Sequence, residues 1–346
     1  MNVYSLDPLQ DPRWPEFIRR HPRASVFHTP GWLRALQRTY HYQPVAFTTS
    51  APTEVLGNAH VFCAVHSWLT ERRLVSLPFS DHYEPLVENA QTLNELCRFV
   101  RDLAKERRWK YVEMRWGSSG PPLAGTFQTA RTFYAHRLDL RPHAEALFRS
   151  FHRDSVQRKV RRAEREGLTY EAGRGQSLLD KLCGLLRLTR RRHGVPLQPL
   201  EWFRNLVEGL GEDACIRIAS RYGQPVAGIL TLRHETRMVY KYGGSDPQWH
   251  NLGGMALLLW NAIQEAKRTG VEEFDFGRSD CDNSGLIAFK EHWAAQRSTL
   301  TYWRFPAPAA PAVADGWRIQ LARQVSGRLP NGMVTLAGKL LYRHIG

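Results

Sequence analysis

One order of elements occurs twice along this chain, and that repeat constrains the fold more than any other feature. In the first half "PVAFTT", "VLGNAHVFCAV" and "RRLVSLPF" read as successive strands ending at Ser80-Asp81. The amphipathic run "TLNELCRFVRDLAKERR" and a further strand, "KYVEMRW", follow. In the second half "CIRIASRY", "PVAGILTLRH" and "TRMVYKYGG" end at Ser245-Asp246. A helix, "MALLLWNAIQEAKRTG", then closes on Gly270 as its C′ residue, and "VEEFDFG" returns as a strand. Helices open each half: "PGWLRALQRTY" in the first, and the stretches 143–167 and 177–210 in the second. The pattern predicts an α+β chain of two tandem domains, residues 1–140 and 141–306, with mixed, mainly antiparallel sheets flanked by helices. A Pro/Ala linker and amphipathic helices are expected over 307–346.

Composition narrows the class. The 346 residues are 42% hydrophobic, enough for two cores. The five cysteines stand singly at 63, 97, 183, 215 and 281, which argues against a disulfide framework or a structural zinc site and fits a reducing cytoplasm. The opening "MNVYSLDPLQDPRW" has acids and prolines where a signal peptide needs an apolar core. The longest apolar run, "MALLLW", is far below the roughly 20 residues that span a bilayer. A net charge of +15 points to a polyanionic partner: RNA, a nucleotide-linked substrate or an anionic membrane surface. Arg149 to Arg192 alone holds thirteen Lys/Arg against five Asp/Glu.

The segment "DFGRSDCDNSGLIAFKEHW", Asp275 to Trp293, carries the densest chemistry. Asp280 to Glu291 matches the twelve-position pattern of a calcium loop, but the segment before it alternates like a strand, whereas an EF-hand needs a helix there. The Asp-Phe-Gly of a kinase is present without its Gly-rich loop or catalytic loop. What remains is a strand end, a polar loop and a helix start bearing Phe289-Lys290, placed where α/β units commonly carry a site. A solvated connection with Lys290 on an exposed helix face is the plain alternative.

These residues resemble the Fem family of peptidoglycan aminoacyltransferases and the FemAB-like branch of the GNAT acyltransferase superfamily. The shared pattern comprises "VYKYGGSD", the helix "ALLLWNAIQEA", "FDFG" continuing to Arg278-Ser279, a short loop with Gly, and "FK" before an aromatic. Upstream, "RKVRRAEREGLTYE" and "SVFHTPGWLRAL" are similar to the family's basic helix and N-terminal opening, so the likeness extends to about residue 306. It implies tandem GNAT-like domains and transfer of an acyl or aminoacyl group to an amine of a cell-envelope precursor or polysaccharide. In the family the lysine of "FK" polarises the acyl carbonyl, a role that falls to Lys290, with Phe289 beside the acyl chain. Oxyanion stabilisation by a positioned cation is chemically consistent with that role. Asp280, Asp282, His292, Tyr240 and Tyr242 are the candidates for the base that deprotonates the nucleophile. Arg278, Ser279 and Tyr242 are further candidate substrate contacts.

The chain departs from the family at two places. Gln157 stands where Fem enzymes have a phosphate-binding arginine, and Leu36, flanked by Arg34 and Arg38, replaces a lysine. The helical arm that some members insert for tRNA is missing from the sequence. Phosphate or tRNA contact is expected from Arg158, Lys159 and Arg161 on a helix capped by Asp154, against a solvated charged face. Asp81 and His82, after the first meander, are candidate acceptor contacts. Asn251-Leu-Gly-Gly254 keeps the small residues of a pyrophosphate turn without its leading Arg/Gln, so Gly253 and Gly254 are either coenzyme contacts or a flexible cap. The donor is thus acyl-CoA or aminoacyl-tRNA. A CoA-dependent N-acetyltransferase and a non-catalytic RNA- or nucleotide-binding module are the alternatives. After Asp315 there are five basic residues and no acid, and Trp317, Leu321, Val325 and Leu329 fall near helical spacing. That composition suits peripheral contact with an anionic membrane, or helices that cap the first domain.

Overall fold

Alternating apolar residues become sheet in both halves. The computed structural model describes residues 2–68, 70–117, 127–307 and 342–344. They divide into two units: one up to Phe133 together with 298–307 and 342–344, the other Tyr134–Arg297. The first unit holds β1 (Tyr4–Leu6), α1 (Trp14–Arg20), α2 (Pro30–Tyr40), β2 (Gln43–Thr48), β3 (His60–Ser67), β4 (Glu71–Val75), α3 (Ala90–Glu106) and β5 (Tyr111–Gly117). β6 (Gln128–Asp139) starts in the first unit and ends in the second. The second unit continues with α4 (Ala144–Ser150), α5 (Arg158–Arg165), β7 (Thr169–Gly173), α6 (Gln176–Arg192) and α7 (Leu200–Leu210). β8 (Ala214–Arg221), β9 (Gln224–His234), β10 (Arg237–Ser245), α8 (Gly254–Arg268), β11 (Glu273–Asp280) and α9 (Ser284–Glu291) complete it. β12 (Gln296–Phe305) returns to the first unit, so ten residues expected in the second domain mostly belong to the first.

The strand order is β1-β2-β3-β4-β5-β12-β6 in the first unit and β6-β11-β10-β9-β8-β7 in the second. Each meander is antiparallel, and each helix that follows delivers a strand parallel to the meander's last. The repeat is therefore structural: Arg73–Val75 pair with Tyr111–Glu113 in parallel, and Arg237–Val239 pair with Glu273–Asp275. One core packs Phe62, Leu74, Val100 and Trp116, and the other Ile229, Leu258, Phe274 and Trp293.

Local differences have identifiable causes. β4 stops at Val75, short of the sequence reading, because Leu77 and Phe79 take left-handed backbone (φ 44° and 61°) around Pro78. The stretch 143–167 is broken by a π-turn, Arg153–Gln157, whose N-cap is His152 instead of Asp154: its Nδ1 accepts from the Ser155 amide at 3.1 Å. Leu200 opens a second helix after Pro199, dividing 177–210 in two. β6 and β12 escaped the sequence reading because charged and polar residues interrupt their apolar alternation. No helix among the described residues is long and apolar enough to cross a membrane.

The tail reading over 308–341 lies outside the described residues, but Tyr342–His344 are seated on the first unit. The Tyr42 hydroxyl donates to the Tyr342 carbonyl at 2.9 Å, and Arg73 to that of His344 at 2.6 Å.

Candidate functional site

The site begins where two parallel strands part. Among the described residues β10 and β11 stay paired only to Val239 and Asp275. β10 then bulges between Tyr240 and Tyr242, while Gly277 on β11 takes φ 71° and its amide donates to the Asp275 carboxylate at 2.6 Å. The Tyr240 ring lies across Gly243, where a Cβ would meet its hydroxyl at 1.9 Å. Its hydroxyl reaches the Met255 sulfur at 3.9 Å. Burial pushes the Tyr240 phenol up to about 12. At neutral pH it stays protonated, which suits a base poorly.

Beside this opening lies a cleft of about 460 Å³. The start of α8, Gly253 to Ala256, forms one wall, and Ser155, Val156 and Lys159 another. Phe289, His292 and Trp293 on and after α9 close the third side, while Trp249 and His250 stand before the helix. Gly253 is the N-cap of α8 at φ 79°, and no side chain caps this terminus. A Cβ on Gly253 would lie 2.2 Å from the Lys159 carbonyl, and one on Gly254 would lie 3.1 Å from the Ala227 Cβ. The glycines therefore meet a packing requirement, and they also leave the first amides of α8 bare toward the cleft. Such a terminus attracts anions.

The α9 helix divides its residues between two environments. Phe289 and His292 line the cleft, whereas Ile287 and Lys290 are buried on the other face. This corrects the expectation that Lys290 is a helix-start residue at the cleft. Asn283 caps α9 by accepting from the Leu286 amide at 3.1 Å, which puts Lys290 in the last turn. Its side chain is 2% exposed, and its ammonium donates to the carbonyls of Gly277 (2.8 Å) and Arg278 (2.7 Å). Those carbonyls lie two and three residues past the last β10–β11 pair, so a fixed positive charge sits at the strand opening. His136 on β6 is fully buried within the charge field of Lys290, and neither ring nitrogen has a hydrogen-bond partner among the described residues. Burial first, then Lys290, lowers its imidazole to about 4. The calcium pattern dissolves for the same local reason: its positions from Ser284 onward are helix, not loop.

The other candidates scatter. Ser279 is buried and its hydroxyl has no partner among the described residues, while Arg278 and Asp280 are exposed at the end of β11. The Tyr242 hydroxyl accepts from Trp202 Nε1 at 2.9 Å and donates to Gln198 at 2.6 Å. That buried network removes Tyr242 from the set of substrate contacts. Arg158 pairs with Asp154 at 2.7 Å on the outer face of α5, and Arg161 lies over the Phe148 ring. Asp81 and His82 belong to the first unit, where the Asp81 carbonyl accepts from Tyr302 and His82 packs on Phe27. Of the predicted residues the cleft gathers Lys159, Gly253, Gly254, Phe289 and the candidate base His292.

Sequence reasoning passed over His250 and His152 and weighed His292 only as a base. The Ser245 hydroxyl bonds His250 Nε2 at 2.9 Å, and Arg192 approaches the same nitrogen at 3.3 Å. The His152 and His292 rings stack 4.3 Å apart, and the His152 amide donates to the His292 carbonyl at 2.8 Å. The one sequence signal was position: His250 directly precedes Asn251-Leu-Gly-Gly254, and His292 follows Phe289-Lys290-Glu291.

Residues 150–291 match the model of the acetyltransferase (GNAT) domain family. A UDP-N-acetylmuramoylpentapeptide-lysine N(6)-alanyltransferase of Weissella viridescens is 25% identical over 135 residues. That match covers 38% of this chain, and the chain spans 40% of the relative's length. Among solved structures, FemX superimposes with a TM-score of 0.70 at 15% identity over 94% of this chain and all of that one. A tandem GNAT protein from the clavulanic acid biosynthesis pathway gives 0.53 at 12% identity, covering 89% of this chain and 99% of that one. The fold is accordingly that of tandem GNAT-like domains.

Proposed function

We propose that the chain, whose residues 150–291 match the GNAT domain model, belongs to the FemAB-like branch and transfers an acyl or aminoacyl group to an amine of a cell-envelope precursor or polysaccharide. The observation that carries the reading is the cleft at the bare terminus of α8, beside the opening between β10 and β11. Phosphates of a donor would sit against the helix amides and Lys159. Its acyl end would run past Phe289 toward the strand opening. The amine attacks the ester or thioester carbonyl, the tetrahedral oxyanion collapses, and the tRNA hydroxyl or coenzyme thiol departs while the ammonium proton is lost. Lys290 contributes a charge held in place by two carbonyls, so no reorganisation is needed as the oxyanion forms.

The name of the Weissella relative supports an aminoacyl donor and a lysine amine on a muramoyl peptide as acceptor. The family model and the small residues at 253–256 favour a second reading, acyl-CoA-dependent N-acetylation. The basic tail supports peripheral contact with an anionic membrane that presents a lipid-linked acceptor. The deciding experiment incubates the full chain with labelled aminoacyl-tRNA or acyl-CoA and follows loss of the ester or thioester in the presence of amines. Loss of one donor that depends on an amine supports the reading. Stability of both donors under all conditions would leave only a binding module.

A further inference from the structure

The cleft has an unusual set of side chains for an anion site: alongside Lys159 and the hydroxyls of Ser155 and Ser245 it presents imidazoles. His250 and His292 line it from two different elements, and His152 stacks on His292 from the π-turn. Among the described residues that line the cleft Lys159 is the one Lys or Arg, and Gln157 stands nearby on the π-turn. Gln157 is itself occupied, donating to the Phe151 carbonyl at 2.8 Å.

His250 faces Arg192 from α6, Lys159 from α5 and Asp246 from the preceding turn, with the Ser245 hydroxyl on Nε2. His292 faces His152 from the π-turn, Lys159 from α5 and its neighbour Glu291, which also pairs with Arg297 at 3.5 Å. Both imidazoles are held below their ordinary value, His250 by burial and then Arg192, His292 by burial and then His152. With burial and the nearby positive charges acting together, both are mainly neutral at pH 7.

Resting on the donor-site reading above, we propose that His250 and His292 are phosphate ligands of this cleft beside Lys159 and the α8 amides, and that each is protonated as a phosphate-ester donor binds. An incoming phosphodiester reverses the local charge balance, so the imidazolium form becomes the favoured one. Binding then takes up protons, and affinity rises as pH falls. The arrangement supplies through imidazoles the charge that an arginine would otherwise give, but only when the donor is present. The chemistry is common to a coenzyme pyrophosphate and to the phosphodiesters of a tRNA end.

Titration calorimetry on the full chain tests this. The two probes are dephospho-coenzyme A and a short RNA ending in CCA, whose phosphates are diesters that do not titrate near neutrality. Measured at pH 7 in PIPES and in Tris, the enthalpy for the true donor type should differ by the buffers' ionisation enthalpies in the sense of proton uptake. Affinity should increase about tenfold from pH 8 to pH 6. His292→Gln and His250→Gln, checked for folding by thermal unfolding, should each reduce the uptake and flatten that dependence. The probe that binds with uptake identifies the donor type. Binding without uptake, or uptake unchanged in both variants, would overturn the proposal and leave the donor site standing. Failure of both probes to bind would overturn the donor-site reading and this proposal with it.

Discussion

The two units execute one plan with opposite endings. In the first, three parallel pairs between β4 and β5 are followed by further stitching: the Ser76 amide donates to the Glu113 carbonyl at 2.8 Å, and the Tyr83 amide to that of Arg115 at 2.7 Å. The helix that precedes β5 is capped, Asn89 accepting from the Thr92 amide at 2.9 Å. Its strand end is filled by Glu113, clamped between Arg115 and Arg304. In the second unit three parallel pairs are followed by a bulge, α8 starts without a side-chain cap, and the strand end holds Lys290. One copy of the plan is closed and the other left open. The proposed chemistry is assigned to the second for that reason, while the first is closed at its strand end by Glu113 and its two arginines.

Breaking the charge at the open strand end should have the largest effect. Lys290→Met keeps the volume and removes the ammonium, and turnover should fall about 100- to 1000-fold in the donor-loss assay. Lys290→Ala would confound this, because it also leaves a cavity beside two buried carbonyls. Turnover of Lys290→Met within a few-fold of wild type would place the chemistry elsewhere.

Gly253→Ala sharpens the contrast between the two helix starts. The substitution forces a Cβ onto the Lys159 carbonyl at positive φ, and denaturant unfolding should show a loss of about 3 kcal/mol. A neutral outcome would mean that α5 and α8 do not pack as described.

Acid separates the units by their buried groups. Burial would raise the Glu113 carboxyl, but Arg115 and Arg304 outweigh it and hold it at about 2. Its contribution is complete above the ordinary value of 4.5 and vanishes as pH falls toward 2, a loss of about 3 kcal/mol. His60 in the first unit is lowered to about 3, by burial and then His28, and His136 in the second to about 4. An imidazole buried neutral costs stability once the unfolded chain takes up its proton, so the decline begins near pH 6.5. Stability measured from pH 7 to 3 should therefore decline from about pH 6.5 and more steeply below about 4.5, and Glu113→Gln should remove the added steepness.

The smallest effect is expected at the closed helix start. Asn89→Ala should cost about 1 kcal/mol in thermal unfolding and leave transfer unchanged.

What the sequence disclosed follows the physics of each segment. The strands of both meanders, α2, α3, α8 and β11 were readable because one face of each is apolar at a fixed period. Gly270 was readable as a helix end because the backbone there needs φ 79°. The repeat supplied the tandem architecture. β6 and β12 were not readable, since their pattern depends on partners far along the chain. The site was half legible: Lys159, Gly253, Gly254 and Phe289 meet, but no pattern separates a cleft-facing Tyr242 from one buried on Trp202 and Gln198. The depth of Lys290 was likewise hidden, because the capping of α9 by Asn283 decides which way a one-turn shift points the lysine. His152 and His250 were overlooked, and His292 was read only as a base, because the three converge from separate elements.

Hydrogen exchange on the full chain, with and without the donor that it consumes, tests the central contrast most directly. The account predicts slowed exchange at the amides of 253–257 and 286–293, and no change at 89–93, where Asn89 already caps the helix. Protection at 89–93 with none at 253–257 would contradict it and move the donor to the first unit.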